Sequence, residues 1–273
     1  MPFLEREDGA RNYYELHGSG PPVVFLNGIM MSTLSWAHLV PEVARHYQVV
    51  LMDFRDQGRS SRMDREYGLD LHVEDLRALL DHLGFERIHL LGLSYGGQVA
   101  LKFALAHQER LYTLLLPNTN HYITTHLREI GDAWEIAASL YDGEKFFKLA
   151  IPFIYSRHFY ERALDALRKR QEMFKEMLTQ EWFEALIRLI HSATDFRVSP
   201  GELEGIKVPT LLIGAEDDII TPLAIMEEMR ARIEKAELVV IPMAGHGAFI
   251  ERPREFLSAV LGFLAKYPRG EGG

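Results

Sequence analysis

Apolar and polar residues follow a repeating rhythm over most of the chain. Short apolar runs, typical of buried strands, occur at residues 21–26, 48–53, 87–91, 111–116, 208–214 and 237–241. The stretches between most of them repeat apolar residues every three or four positions, as in helices that pack by one face. One such helix is predicted after residues 21–26, with Leu39 and Val43 on its inner face. This alternation predicts a mostly parallel sheet with helices on both faces.

The beginning of the chain adds to this sheet. Residues 3–17 contain two short alternating segments around Gly9, a pattern that favours a hairpin at a sheet edge. We therefore predict an α/β fold with about eight strands, most of them parallel.

The rhythm changes between residues 119 and 199. This stretch has no alternating strand and few glycines, and helical patterns cover residues 130–140 and 160–177. We divide the chain into a core of residues 1–118 and 200–273 and an inserted all-helical cap of residues 119–199. The cap is rich in large aromatic residues that a small helical layer cannot bury internally. Some of them are therefore expected to face a cleft shared with the sheet.

Composition narrows the class of protein. The chain has 273 residues, of which 47% are hydrophobic, so it can bury a large core. A net charge of −9 and the lack of a sustained basic patch argue against nucleic acid as a partner. The absence of cysteine excludes disulfides, thiolate catalysis and cysteine-bound zinc.

Targeting and membrane segments are not predicted. Residues 1–8 are charged where a signal peptide needs an apolar core, and no window approaches the roughly 18 apolar residues of a membrane span. We expect a cytoplasmic protein that acts on a small molecule, as a monomer or homodimer.

The most informative stretch is Gly92-Leu93-Ser94-Tyr95-Gly96. It lies between an apolar run and a helical pattern, so a strand turns sharply into a helix at Ser94. Glycines two positions on either side avoid the steric collisions of such a turn. The helix that begins at Tyr95 would direct its free N–H groups toward an oxyanion near Ser94.

Two further strand-end loops carry matching chemistry. Asp217 and Asp218 follow the run at 208–214, and His246 lies in a glycine-flanked loop after the last strand. A serine hydroxyl needs an imidazole to accept its proton, and the imidazole needs a carboxylate to orient it. The chain order serine, aspartate, histidine is that of α/β hydrolases.

The sequence resembles the α/β-hydrolase superfamily over nearly its whole length, in particular its lidded serine esterases and meta-cleavage-product hydrolases. Five segments carry the resemblance: residues 26–29, 53–60, 92–97, 218–222 and 245–246. It implies that Ser94 is the nucleophile and His246 the general base. It also implies that the backbone N–H groups of Ile29 and Tyr95 form an oxyanion hole.

The family resemblance leaves the choice of acid open, and it does not extend to the residue before Gly28. Relatives commonly place the acid four residues before a proline, which selects Asp218 ahead of Pro222, whereas counting from Gly214 selects Asp217. Many relatives also carry His-Gly where this chain has Asn27-Gly28. We therefore expect different side-chain support around the oxyanion hole.

The resemblance favours hydrolysis of carboxylic esters with small or medium apolar groups through an acyl-enzyme. A C–C hydrolase of ring-cleavage products or an enol-lactonase would use the same residues. A third hypothesis is a non-catalytic ligand-binding protein on this fold. We expect no metal and no organic cofactor, because the remaining histidines are scattered and suit packing or surface roles.

Overall fold

The computed structural model describes residues 2–267 and contains one eight-stranded sheet. Its strands are β1 (Phe3–Glu5), β2 (Arg11–His17), β3 (Pro22–Leu26), β4 (Gln48–Met52), β5 (Ile88–Gly92), β6 (Leu111–Pro117), β7 (Thr210–Ala215) and β8 (Ala236–Ile241). Their spatial order is β1-β2-β4-β3-β5-β6-β7-β8. Strands β3 to β8 run parallel, while β1 and β2 form the predicted antiparallel edge. The predicted fold class is confirmed.

Eleven α-helices lie within residues 2–267. They are α1 (Val40–Val43), α2 (Asp70–Leu83), α3 (Tyr95–His107), α4 (Thr125–Ala138), α5 (Gly143–Ala150), α6 (Arg157–Met177), α7 (Gln180–Ala193), α8 (Pro200–Glu204), α9 (Leu223–Arg232), α10 (Ala248–Glu251) and α11 (Pro253–Leu264). The helix predicted after β3 is much shorter than its apolar pattern indicates. It is a 3-10 turn at Thr33–Trp36 followed by the single turn of α1.

Alternate residues of the strands point into two separate hydrophobic cores, one on each face of the sheet. In β3, Val24 and Leu26 face a core shared with α2 and α3, whereas Val23 and Phe25 face a core shared with α1 and α11. Side chains of a strand point to opposite faces at every step, so a strand buried on both faces consists of continuous apolar sequence. This explains the unbroken apolar runs in the sequence.

Helices α4 to α7 lie in the segment that the sequence analysis sets apart, between β6 and β7. Residues 121–123 pair with residues 196–198 at its base, so the segment leaves and rejoins the sheet at one place. Its helices share a third apolar cluster that includes Ile130, Trp134 and Phe183. Ile220, from the loop after β7, belongs to the same cluster, so the segment packs against a loop at the carboxyl end of the sheet.

One buried histidine makes the fold sensitive to acid. His72 on α2 is fully buried and stacks on Phe54 with ring centroids 4.6 Å apart. Burial lowers the pKa of His72 to about 4. Between pH 6.5 and about 4, His72 is therefore protonated in the unfolded chain and neutral in the folded chain. The associated stability is present above pH 6.5 and is lost as the pH falls toward 4.

We predict that His72→Phe removes this loss. Each pH unit in that interval costs about 1.4 kcal/mol, so the variant should gain up to roughly 3 kcal/mol relative to the wild type between pH 7 and pH 4. Urea unfolding of both proteins at several pH values measures the difference. A difference that stays constant with pH would contradict the account, whatever its size at pH 7.

Candidate active site

Ser94 occupies the turn between strand β5 and helix α3. Its backbone has φ 52° and ψ −114°, which residues with side chains rarely adopt. A Cβ at Gly92 would lie 2.3 Å from the Gly96 carbonyl oxygen, and a Cβ at Gly96 would lie 2.6 Å from that of Leu26. The turn is therefore too tightly packed for any residue but glycine at positions 92 and 96.

The imidazole of His246 lies between Ser94 and Asp218. His246 follows strand β8, and its Nε2 is 2.8 Å from Ser94 Oγ. Its Nδ1 is 2.9 Å from Asp218 Oδ2. The structure therefore brings together three side chains from three separate strand-end loops, with His246 within hydrogen-bonding distance of each of the other two.

Both carboxylate oxygens of Asp218 accept further hydrogen bonds. Oδ1 accepts the N–H groups of Ile220 and Thr221, each at 2.9 Å, and Oδ2 accepts the Thr221 hydroxyl at 2.6 Å and Asn118 Nδ2 at 2.9 Å. Burial disfavours the charged form, but His246 and these donors outweigh it and hold the pKa of Asp218 below its ordinary value. Asp218 is therefore a carboxylate at neutral pH.

Asp217 faces a different environment. Its side chain is 39% exposed, and its Oδ2 is 3.9 Å from Nε2 of His158 on α6. It has no hydrogen bond to His246 among the contacts of residues 2–267. Of the two adjacent carboxylates, only Asp218 touches the imidazole.

Ile29 and Tyr95 lie in the wall of the cavity that also contains Ser94 and His246. Tyr95 is the first residue of α3, and the first N–H groups of a helix have no acceptor within the helix. Ile29 follows strand β3, the parallel neighbour of β5. Both residues are therefore next to the serine, where an oxyanion hole is expected from the family resemblance.

Two side chains far apart in the sequence hold the loop that contains Ile29. Gln57 Nε2 donates to the carbonyl oxygens of Gly28 and Ile29, at 2.9 and 3.2 Å. Asn27 Nδ2 donates to Gln57 Oε1 at 3.2 Å, and Asn27 Oδ1 accepts from Trp36 Nε1 at 2.8 Å. This is the different support expected at Asn27, and no local sequence pattern indicates that Gln57 and Trp36 provide it.

The polar loop after β4 braces its surroundings. Asp53 accepts hydrogen bonds from the N–H groups of Thr33 and Arg59, at 2.7 and 3.0 Å. Arg55 donates to both carboxylate oxygens of Asp75, at 2.7 and 2.9 Å. All these bonds are internal to the protein, so the side chains of Asp53 and Arg55 have a structural role.

The cavity beside Ser94 has a volume of about 160 Å³. Trp134, Tyr155 and Phe174, all from the inserted helical segment, form part of its wall. Arg170 also lines it, donates to the Tyr155 hydroxyl at 2.6 Å and lies 5.8 Å from the centroid of the Phe174 ring. The cavity is thus mostly apolar, with two arginines and one aspartate among its lining residues.

Within residues 2–267, no group of three or more histidine or acidic side chains could hold a metal ion. In the same residues, every helix is too short or too polar to cross a membrane.

Comparison with known proteins identifies the family. Residues 21–253 match the α/β-hydrolase fold family, and the chain belongs to it. The chain is 28% identical to a 2-hydroxy-6-oxo-6-(2'-aminophenyl)hexa-2,4-dienoic acid hydrolase of Metapseudomonas resinovorans, covering 94% of this chain and 89% of that protein. Because the family and its matched relatives are hydrolases, hydrolase is the class of this protein.

Two more matches extend this comparison. The chain is 30% identical to the protein named "Putative carbamate hydrolase RutD" of Caulobacter sp. strain K31, covering 93% of this chain and 95% of that protein. Among solved structures, MGS-M2, an α/β-hydrolase enzyme from a Medee basin deep-sea metagenome library, has a TM-score of 0.93 and 34% identity. That match covers 96% of this chain and 97% of MGS-M2.

We predict that Asn27→Leu destabilises the protein by roughly 2–5 kcal/mol, because Trp36 Nε1 and Gln57 Oε1 lose buried partners. Urea unfolding at pH 7 measures the change. Gln180→Leu, at an exposed glutamine on α7, is the control and should stay within about 0.5 kcal/mol of the wild type. An Asn27→Leu protein as stable as the control would contradict the bracing role.

Proposed function

We propose that this hydrolase cleaves carboxylic esters of small to medium apolar substrates through an acyl-enzyme. Ser94 is the nucleophile, His246 the general base and acid, and Asp218 the carboxylate that orients the imidazole. The observation that carries the proposal is the unbroken contact from Ser94 Oγ to His246 Nε2 at 2.8 Å and from His246 Nδ1 to Asp218 Oδ2 at 2.9 Å.

Acylation begins as Ser94 Oγ forms a bond to the ester carbonyl carbon and its proton passes to His246 Nε2. Asp218, held ionised, accepts a hydrogen bond from Nδ1–H and stabilises the imidazolium. The carbonyl oxygen becomes an oxyanion, which the N–H groups of Ile29 and Tyr95 bind. The C–O bond then breaks, and the alcohol leaves with the proton from Nε2.

Deacylation repeats these steps with water. His246 Nε2 removes a proton from a water molecule as the water oxygen attacks the acyl carbon. The second oxyanion collapses, the bond to Ser94 Oγ breaks and the serine recovers its proton from His246. The products are one carboxylic acid and one alcohol, and no cofactor takes part.

The helical segment of residues 119–199 serves as a cap in this proposal. It contributes Trp134, Tyr155 and Phe174 to the cavity wall and thereby favours apolar groups on the substrate. A dry cavity of about 150 Å³ holds benzene. A cavity of similar size next to Ser94 favours an acyl or alcohol group of about that bulk.

Arg170 supports a second candidate function. This residue lines the cavity, and among residues 2–267 its hydrogen-bond partner is a tyrosine and not a carboxylate. Such a cation favours substrates that carry an anionic group. The Metapseudomonas relative is named for a dienoic acid substrate. C–C hydrolysis of such acids, or opening of an enol-lactone, is therefore the alternative on the same three residues.

We predict turnover of p-nitrophenyl esters, with an optimum at acyl chains of about four to six carbons, because the cavity accommodates a group of roughly benzene size. Ser94→Ala should lower kcat by at least about 10⁴-fold. Initial rates from acetate to decanoate, measured beside a dienoic acid and an enol-lactone, test this. If Ser94 reacts with a fluorophosphonate but only the acid or the lactone is cleaved, the second candidate replaces the first. A Ser94 inert to all of them would favour non-catalytic binding.

The neighbouring aspartates provide a matched pair. We predict that Asp218→Asn lowers kcat by about 10³- to 10⁴-fold, because an amide neither fixes the imidazole tautomer nor stabilises its charge. Asp217→Asn should leave kcat within about twofold, since that exposed side chain does not touch His246. Steady-state kinetics of both variants decide the assignment. The opposite ranking would transfer the role to Asp217.

A further inference from the structure

One buried carboxylate joins the His246 loop to the inserted helical segment. Glu251 ends helix α10 and is 2% exposed. Its Oε1 accepts the N–H of Gly245, the residue before His246, at 3.0 Å, and the N–H of Ser156 at 3.2 Å. Its Oε2 accepts the Ser156 hydroxyl. Two segments nearly 90 residues apart in the chain therefore share this side chain.

The two segments are also in direct contact on both sides of His246. The Gly247 N–H donates to the Ile154 carbonyl oxygen at 3.1 Å. A Cβ at Gly245 would lie 2.7 Å from Ser156 N, and one at Gly247 would lie 2.6 Å from Tyr155 Cε1. Glycine on each side of the histidine thus permits residues 154–156 to pack against the loop.

Residues 154–156 touch the substrate cavity as well. Tyr155 lines it and accepts a hydrogen bond from Arg170, another residue of the cavity wall. Ser156 caps helix α6, because its hydroxyl accepts the Phe159 N–H at 3.1 Å. Any displacement of Ser156 therefore moves both the start of α6 and the wall formed by Tyr155.

The chemistry of Glu251 suits this link. Burial raises the pKa of Glu251, although the Ser156 and Gly245 donors and the nearby positive charge of Arg162 oppose that rise. A carboxylate accepts several hydrogen bonds at once. A carboxamide has one acceptor oxygen, and its NH₂ group would oppose one of the donors.

We propose that Glu251 is a positioning residue that holds His246 and the cavity wall at Tyr155 in one fixed arrangement. This inference rests on the proposed role of His246 as the base. Substrate contacts to Tyr155 and the alignment of the imidazole are then coupled through a single side chain, which touches neither the substrate nor the reacting atoms.

Glu251→Gln tests the coupling, with p-nitrophenyl acetate and hexanoate as substrates. We expect kcat to fall at least about 10-fold for both, and KM for hexanoate to rise at least about threefold, since small misalignments of catalytic groups are costly. Glu251→Asp keeps the charge and should recover part of kcat. Glu255→Gln, at an exposed glutamate in the next helix, is the matched control and should resemble the wild type.

Rates are normalised to the folded fraction from circular dichroism, so a purely structural role would change the melting temperature and leave kcat and KM unaltered. That result would overturn the inference. If Glu251→Gln does not fold, Glu251→Asp replaces it as the test. Wild-type kcat in Glu251→Asp would overturn the inference, because the shorter side chain is not expected to reach Gly245 and Ser156 at once. A wild type without Ser94-dependent turnover would defeat the proposed function and this inference together, whereas an active wild type and an equally active variant would defeat only the inference.

Discussion

The backbone conformation of Ser94 is the constraint on which the rest of the site depends. Holding a residue in such a sparsely populated region costs of order 1–3 kcal/mol and requires support from its surroundings. The support comes from close packing at Gly92 and Gly96, from the Pro117 carbonyl that accepts the Ser94 N–H, and from the Thr119 hydroxyl that donates to the Ser94 carbonyl. These contacts place the hydroxyl at the start of α3, where unpaired N–H groups of the helix are available.

The parallel sheet provides the other side chains by the same geometry. Strands β5, β6 and β7 are neighbours, so the loops after them bring Ser94, Asn118 and Asp218 to one edge. His246 arrives after β8 and completes the contact between the serine and the buried carboxylate. Asp218 stays charged because each of its oxygens is bonded to several donors, which outweighs the cost of burial. A rigid scaffold and a saturated polar network therefore act together.

Much of this could be predicted from local sequence. The glycines at 92 and 96 and the apolar runs of the strands carry strong local signals, so the sheet and the turn at Ser94 were predictable. The bonds from Gln57, Trp36, Asn118 and Thr221 were not, because their partners are distant in sequence or depend on rotamers. The choice between Asp217 and Asp218 could not be made from sequence, because the orientation of their loop decides which carboxylate contacts His246. The helix predicted after β3 is present only as two short turns, because its apolar spacing fits such turns equally well.

The most direct test of the account is a search for the acyl-enzyme on Ser94. A p-nitrophenyl ester is mixed with the protein, the reaction is quenched in acid within its first turnovers, and the intact mass and peptide map are recorded. The account predicts a mass increase equal to the acyl group, located on Ser94 and absent from Ser94→Ala. Rapid turnover without an adduct, or an adduct on another residue, would contradict it.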